Sequence, residues 1–156
     1  MFAEATGAMF SVFGDPYLMG LILGTTVIGV IIGALPGLGA TTGAALLLPF
    51  TLTMEPVPAI AVLTTIYVSA TFAGAITAIL INTPGTPAAA CTAIDGYALT
   101  KKGEAGKGLG MSLIASTIGG MFGVVILIIF MVPLAEIALK FHPADYFALA
   151  IFGLTT

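Results

Sequence analysis

Apolar residues run along this chain in long blocks rather than in alternation. No charged residue interrupts Pro16 to Met54 or Pro56 to Ile94, 39 residues each, nor Gly108 to Ala135, 28 residues. A helix crosses the hydrocarbon core of a bilayer with about 20 residues, so 39 is too long for one crossing and barely short of two with a turn. Pro and Gly divide each block. Tyr17 to Leu35 predicts a spanning helix that stops at Pro36-Gly37, with a shorter apolar segment over 38–50. Ala59 to Ile81 predicts a second span that stops at Asn82-Thr83-Pro84-Gly85, with a short segment over 86–94. The two short segments either cross or re-enter. Glu55 closes the first unit and Asp95 the second, so the plan reads as a weak internal repeat of full helix, Pro-Gly break and short helix. A third span is predicted over 109–139, long enough to require tilt, a kink at Pro133 or a start outside the core. A fourth apolar stretch opens at Tyr146 and reaches only Thr156, too short to span. Residues 1–156 therefore read as the N-terminal part of one larger transmembrane domain.

Composition makes the membrane reading firm. Hydrophobic residues are 59% of the chain and charged residues 7%, against roughly 25% charged in an average soluble domain. That excludes a soluble enzyme, a disordered tail and a nucleic-acid binder. A transmembrane β-barrel alternates apolar and polar positions, whereas these runs are continuous, so the expected fold class is all-α: a polytopic helical membrane protein with Pro-Gly-broken helices. One Cys and one His leave no intrachain disulfide, no His-pair metal site and a poor basis for an enzyme. Met1 to Gly14 carries Glu4 and no positive charge, so it is not a signal peptide, and it is amphipathic enough to lie in the interface. Lys101, Lys102 and Lys107 are three of the four Lys, which predicts a cytoplasmic loop over 101–107.

The breaks are where chemistry could sit. Backbone polar groups that Pro36, Gly37, Gly39, Pro84, Gly85 and Pro87 leave unpaired survive at membrane depth only where protein or a water-filled cavity covers them. The helix after each break exposes N–H groups and a partial positive charge suited to an anion. Thr41 and Thr42 follow the first break, and Asn82, Thr83 and Thr86 flank the second. These neutral groups suit carboxylate oxygens or Na⁺, and discontinuous helices at matching repeat positions point to a transporter site. The alternative is that the Pro-Gly pairs are surface loops between helices, with Gly33, Gly37, Gly39 and Gly43 a close-packing face. Asp95 is expected in a surface turn with Gly96, Cys91 among packed small residues, Ser69 to Gly74 and Ser112 to Gly120 at helix contacts, and Gly119, Gly120 and Gly123 on a small-residue packing face. A small channel or pore-forming protein is the alternative function. It would show a pore-lining stripe or charge rings, and neither is visible.

Gly33-Ala34-Leu35-Pro36-Gly37-Leu38-Gly39 with Leu46-Leu47-Leu48-Pro49-Phe50-Thr51, and then Gly74-Ala75-Ile76-Thr77-Ala78-Ile79-Leu80-Ile81-Asn82-Thr83-Pro84-Gly85, resemble two signatures of the large membrane subunit of the tripartite tricarboxylate transporter family. Asp95-Gly96-Tyr97, Lys102-Gly103, Ala105-Gly106, and Pro143 with Tyr146-Phe147-Ala148 are similar to its following loop and next helix. Ala98 and His142 stand where members more often carry Pro and Gly. The resemblance implies the N-terminal part of an inverted-repeat secondary transporter in the bacterial inner (cytoplasmic) membrane. Its implied partners are a small membrane subunit, a periplasmic solute-binding protein and an organic-acid substrate such as citrate, with no cofactor beyond a coupling Na⁺ or H⁺. The motif positions carried over are Pro36, Gly37, Gly39, Asn82, Pro84 and Gly85.

Overall fold

A computed structural model describes residues 12–155, so the interfacial reading of Met1 to Gly14 lies outside the described residues but for its last three. All elements among them are helical: α1 (Pro16–Ala34), α2 (Ala40–Thr51), α3 (Pro56–Ile81), a 3₁₀ turn (Pro87–Ala89), α4 (Ala90–Lys101), α5 (Ala105–Ala138) and α6 (Pro143–Thr155). Helices α1, α3 and α5 are long and apolar enough to cross a membrane. The chain divides into two compact units, the first ending at Ile114 and the second starting at Ala115.

In the first unit, proline and its neighbours set most helix ends. Pro16 opens α1, where a missing N–H costs nothing, and the Asp15 carboxylate accepts the Tyr17 N–H at 2.9 Å as the cap. Pro36 ends α1 by forcing Leu35 out of helical backbone (φ −86°, ψ 115°). Pro56 lets α3 begin three residues earlier than its apolar run suggested. Within α3 the hydroxyls of Thr64, Ser69 and Thr71 donate to carbonyls of the preceding turn at 2.6–2.7 Å. A polar side chain is thereby satisfied without leaving the helix.

Small residues govern the packing. Gly29 lies against Ser69 and Gly33 against the Ala70 backbone, closely enough that a Cβ at either glycine would collide. These pairs advance together along both helices. At the other end Asp15, Tyr17 and Leu18 share a cleft of about 540 Å³ with Met54, Glu55 and Val57. So α1 and α3 run parallel. Helix α2 must return between them, and Gly43 meets Ile32 and Ile66 on the way. Ile66 and Ile79 are fully buried and anchor this core.

Helix α4 packs on the last turns of α3 through Ala89, Ala93 and Ala78, with Ala75 beside them. Gly96 fits against Ile79, and the Thr100 hydroxyl reaches across to the Ile79 carbonyl at 2.7 Å. The expected short segment 86–94 is thus longer. Asp95 and Gly96 lie inside α4, with Gly96 buried against α3, and no turn forms there. The reason is that small residues at positions 89, 93 and 96 make one packing face, which polar residues on the other face do not interrupt. Helix α4 ends at Gly103, whose φ of +80° only glycine adopts without strain. Gly103 N–H bonds Thr100 O at 2.9 Å and Glu104 N–H bonds Leu99 O at 3.0 Å, the Schellman arrangement. Helix α5 then starts at Ala105, so Lys107 is helical and pairs with Glu104 at 3.1 Å.

The second unit holds the C-terminal part of α5 and all of α6. The Asp145 carboxylate accepts the His142 N–H at 2.8 Å and caps α6, with Pro143 at its first position. Tyr146 Oη donates to Ala138 O at 2.9 Å. Gly119, Gly120 and Gly123, expected at a helix contact, have nothing within 4 Å of their Cβ positions.

Candidate functional site

Both breaks are built by helices that end early. At the first, Pro36 has no N–H to return to α1, and Gly37 turns the chain at φ +92°. Leu38 N–H bonds Leu35 O at 3.1 Å. Gly39 opens α2 with no side-chain cap, leaving exposed Thr41 and Thr42 in its first turn. The last carbonyls of α1, Gly33 among them, have no partner within the helix.

At the second break Asn82 takes a left-handed backbone (φ 56°, ψ 27°), and its N–H bonds Ala78 O at 3.1 Å. Asn tolerates that conformation better than most residues, so its visible role is through the backbone, with the residue exposed. The carbonyls at the end of α3 are largely satisfied. Ala78 accepts from Asn82, Ile79 from Thr100, and Ile81 from the Thr83 hydroxyl at 3.3 Å. Thr83 is half-buried and Pro84 exposed.

The chain then folds back along α3. Gly85 N–H donates to Gly74 O at 3.3 Å, and Thr77 Oγ1 donates to the same oxygen at 3.1 Å. Gly74 lies seven residues before Ile81, so the Gly85–Thr86 corner sits about 10 Å inside the end of α3. A Cβ on Gly85 would land on the Gly33 carbonyl oxygen and would approach Gly74 Cα to 2.9 Å. The second break therefore touches the end of α1, three residues before Pro36. A Cβ on Gly74 would meet the Thr86 Cγ2, N and Oγ1 atoms, each at 2.9 Å. Glycine is required at 33, 74 and 85 because three stretches of backbone cross there without room for a side chain.

Thr86 stands apart from the other candidates. It is 6% exposed, and its hydroxyl is buried without a hydrogen-bond partner. It precedes the 3₁₀ turn and α4 but does not cap them with its side chain. Of the expected site residues, the structure gathers Gly85 and Thr86 against α1 and α3. Pro36, Gly37, Thr41, Thr42, Asn82 and Pro84 lie on the surface of the unit, with Gly39 and Thr83 half-buried. The four-glycine face divides likewise: Gly33 and Gly43 pack closely, whereas Gly37 and Gly39 meet nothing within 4 Å. Cys91 is exposed rather than packed. Gly74 and Thr77, which complete the crossing, escaped the sequence reading as site residues. Their spacing of three on α3, eleven and eight residues ahead of Gly85, was the available signal.

Apolar helices that break inside their own packing, and that bring carbonyls and hydroxyls rather than charges to the break, define a helical membrane protein of the broken-helix class. A family model described as the tripartite tricarboxylate transporter TctA family matches residues 18–156, both breaks included, and the chain belongs to that family. It is also 44% identical over 136 residues to an uncharacterized 52.8 kDa protein in the TAR-I ttuC' 3'region of Agrobacterium vitis. That alignment covers 87% of this chain and 26% of the relative, so the chain spans about a quarter of that protein's length. No solved structure matches it.

Proposed function

We infer that this chain is the N-terminal part of the membrane-embedded subunit of a secondary transporter for tricarboxylates or related organic acids. The transporter is ion-coupled, takes its substrate from a periplasmic binding protein, works with a small membrane subunit and resides in the bacterial inner membrane as a multi-pass protein. Family membership supports the transporter class. The observation that carries the site is the meeting of Gly85 with Gly33, level with the interior of α3 rather than beyond its end. Surface loops would have no reason to fold back between helices, whereas broken helices at a substrate site must be covered by protein. No fixed charge stands at this crossing, and the partially positive start of the helical stretch leading into α4 suits a carboxylate.

The test is uptake of labelled citrate by the complete transporter in proteoliposomes, with and without binding protein, under a Na⁺ gradient, a proton gradient or neither. Accumulation against a concentration gradient that needs one ion gradient and the binding protein is expected. Downhill flux that ignores both would mean a channel and would defeat the reading.

A further inference from the structure

One buried group has no part in the mechanism just proposed. Among the described residues, Thr86 Oγ1 is the buried side-chain polar atom without a hydrogen-bond partner. Such a group costs stability, and native structures retain few of them. Its neighbours make the omission specific. Thr77, on the same side of α3, has its hydroxyl committed to Gly74 O. Thr100 has its own committed to Ile79 O. Thr64, Ser69 and Thr71 each bond the preceding turn. Thr86 could have done the same as a helix cap, since Thr is a good cap residue. Its extended backbone (φ −133°, ψ 153°) also suits a cap, yet the side chain makes no cap bond and packs, methyl and hydroxyl alike, against Gly74.

We propose that the Thr86 hydroxyl is the donor that receives a carboxylate oxygen of the transported acid, and that the Gly85–Thr86 corner parts from Gly74 to admit it. This rests on the transporter reading above. An anion is favoured by two features. The hydroxyl proton has no acceptor, and Thr86 immediately precedes the 3₁₀ turn and α4, at the partially positive end of that helical stretch. The Gly33 carbonyl, which would attract a cation, is covered by Gly85. Parting is cheap at this contact. Two glycines face each other with only the short Thr86 and Thr77 side chains beside them, and the bond between them, Gly85 N–H to Gly74 O, is long at 3.3 Å. Ligand binding would then exchange one long hydrogen bond for a charge-assisted one.

Two substitutions separate binding from stability. Thr86→Val keeps the shape and removes the hydroxyl, and Thr86→Ser keeps the hydroxyl and removes the methyl. In the complete transporter, with citrate as the probe, Thr86→Val is expected to weaken binding about tenfold or more, with a melting temperature equal to or above wild type. Thr86→Ser is expected to bind within about threefold of wild type, a difference of about 0.65 kcal/mol. Unchanged citrate affinity in Thr86→Val would overturn the proposal and make the hydroxyl a packing defect. A lowered melting temperature in Thr86→Val would overturn it too, because the hydroxyl would then have a structural partner. Equal loss in both variants would assign the effect to shape and overturn it as well. Failure of the wild-type transporter to bind citrate or any related organic acid would defeat the transporter reading and this proposal together, an outcome distinct from the other three.

Discussion

Asn82 and the glycines show how one residue type does different work at neighbouring positions. Asn82 holds a left-handed backbone at the end of α3. Alanine there would cost about 1–2 kcal/mol, whereas glycine adopts the conformation freely. Asn82→Ala is therefore expected to lower the melting temperature and Asn82→Gly to leave it near wild type. Transport per folded molecule decides whether the amide matters as well: full activity in Asn82→Gly assigns the position to backbone geometry alone. Gly85→Ala places a methyl on the Gly33 carbonyl. About 1–3 kcal/mol of destabilisation, read by thermal unfolding in detergent, is expected from such overpacking. Gly39→Ala meets nothing and has an ordinary φ of −61°. As the N-cap of α2 it should cost no more than about 1 kcal/mol, because caps prefer Gly to Ala, so a transport defect per folded molecule at Gly39 would mark a functional requirement.

Helices in this chain end on proline and glycine, but they are held by bonds from distant residues. The Thr100 hydroxyl, 21 positions along the chain, satisfies the Ile79 carbonyl near the end of α3. It docks α4 where Gly96 and Gly108 also approach Ile79. Thr100→Val leaves a buried carbonyl without that donor, and a loss of about 1–3 kcal/mol is expected, with increased amide exchange over the last turn of α3 as its signature. By contrast Asp15→Ala removes an exposed cap on α1, expected to cost about 1 kcal/mol. That fraying should be confined to the start of α1. If Asp15→Ala proved the more damaging of the two, the α3–α4 contact would not be what holds the end of α3.

Charge placement predicts an orientation in the bilayer. The loop between α4 and α5 is short, with Lys101, Lys102 and Lys107 around it, and the proposed topology puts it in the cytoplasm. Gly103 is unsuitable as a reporter because any side chain there is strained at φ +80°. Lys102 is exposed and adjacent, and Cys91, exposed as well, must first be replaced. In a Cys91→Ser background, Lys102→Cys should resist impermeant thiol reagents in intact cells and react in inverted vesicles. The opposite pattern would invert the topology. Parallel packing of α1 and α3 adds a constraint. If both cross the bilayer in one direction, the 12-residue α2 and its flanking residues must carry the chain back. At about 18 Å, α2 is shorter than a hydrocarbon core of about 30 Å.

The all-α class, the approximate helices and both breaks were legible from local chemistry. Charge-free runs exclude water-facing structure, and Pro36 and Pro84 deny the helix its N–H wherever they occur. Even the family could be read, because its motifs are those same local break residues in order. What local chemistry could not convey was which break residues go inside. Thr41, Thr42, Asn82 and Thr86 are all small or polar residues beside a Pro-Gly pair, yet Thr86 alone is buried. The difference lies in Gly33, Gly74 and Gly85, distant in sequence, which meet only when α1 and α3 run side by side and the chain doubles back along α3. The extent of α4 was hidden for a related reason. Its packing face is marked by small size rather than by hydrophobicity, and a glycine such as Gly96 reads as a helix breaker until Ile79 is seen to fill the space beside it. Burial of a missing side chain is a property of two surfaces, and a single chain read in order displays one residue at a time.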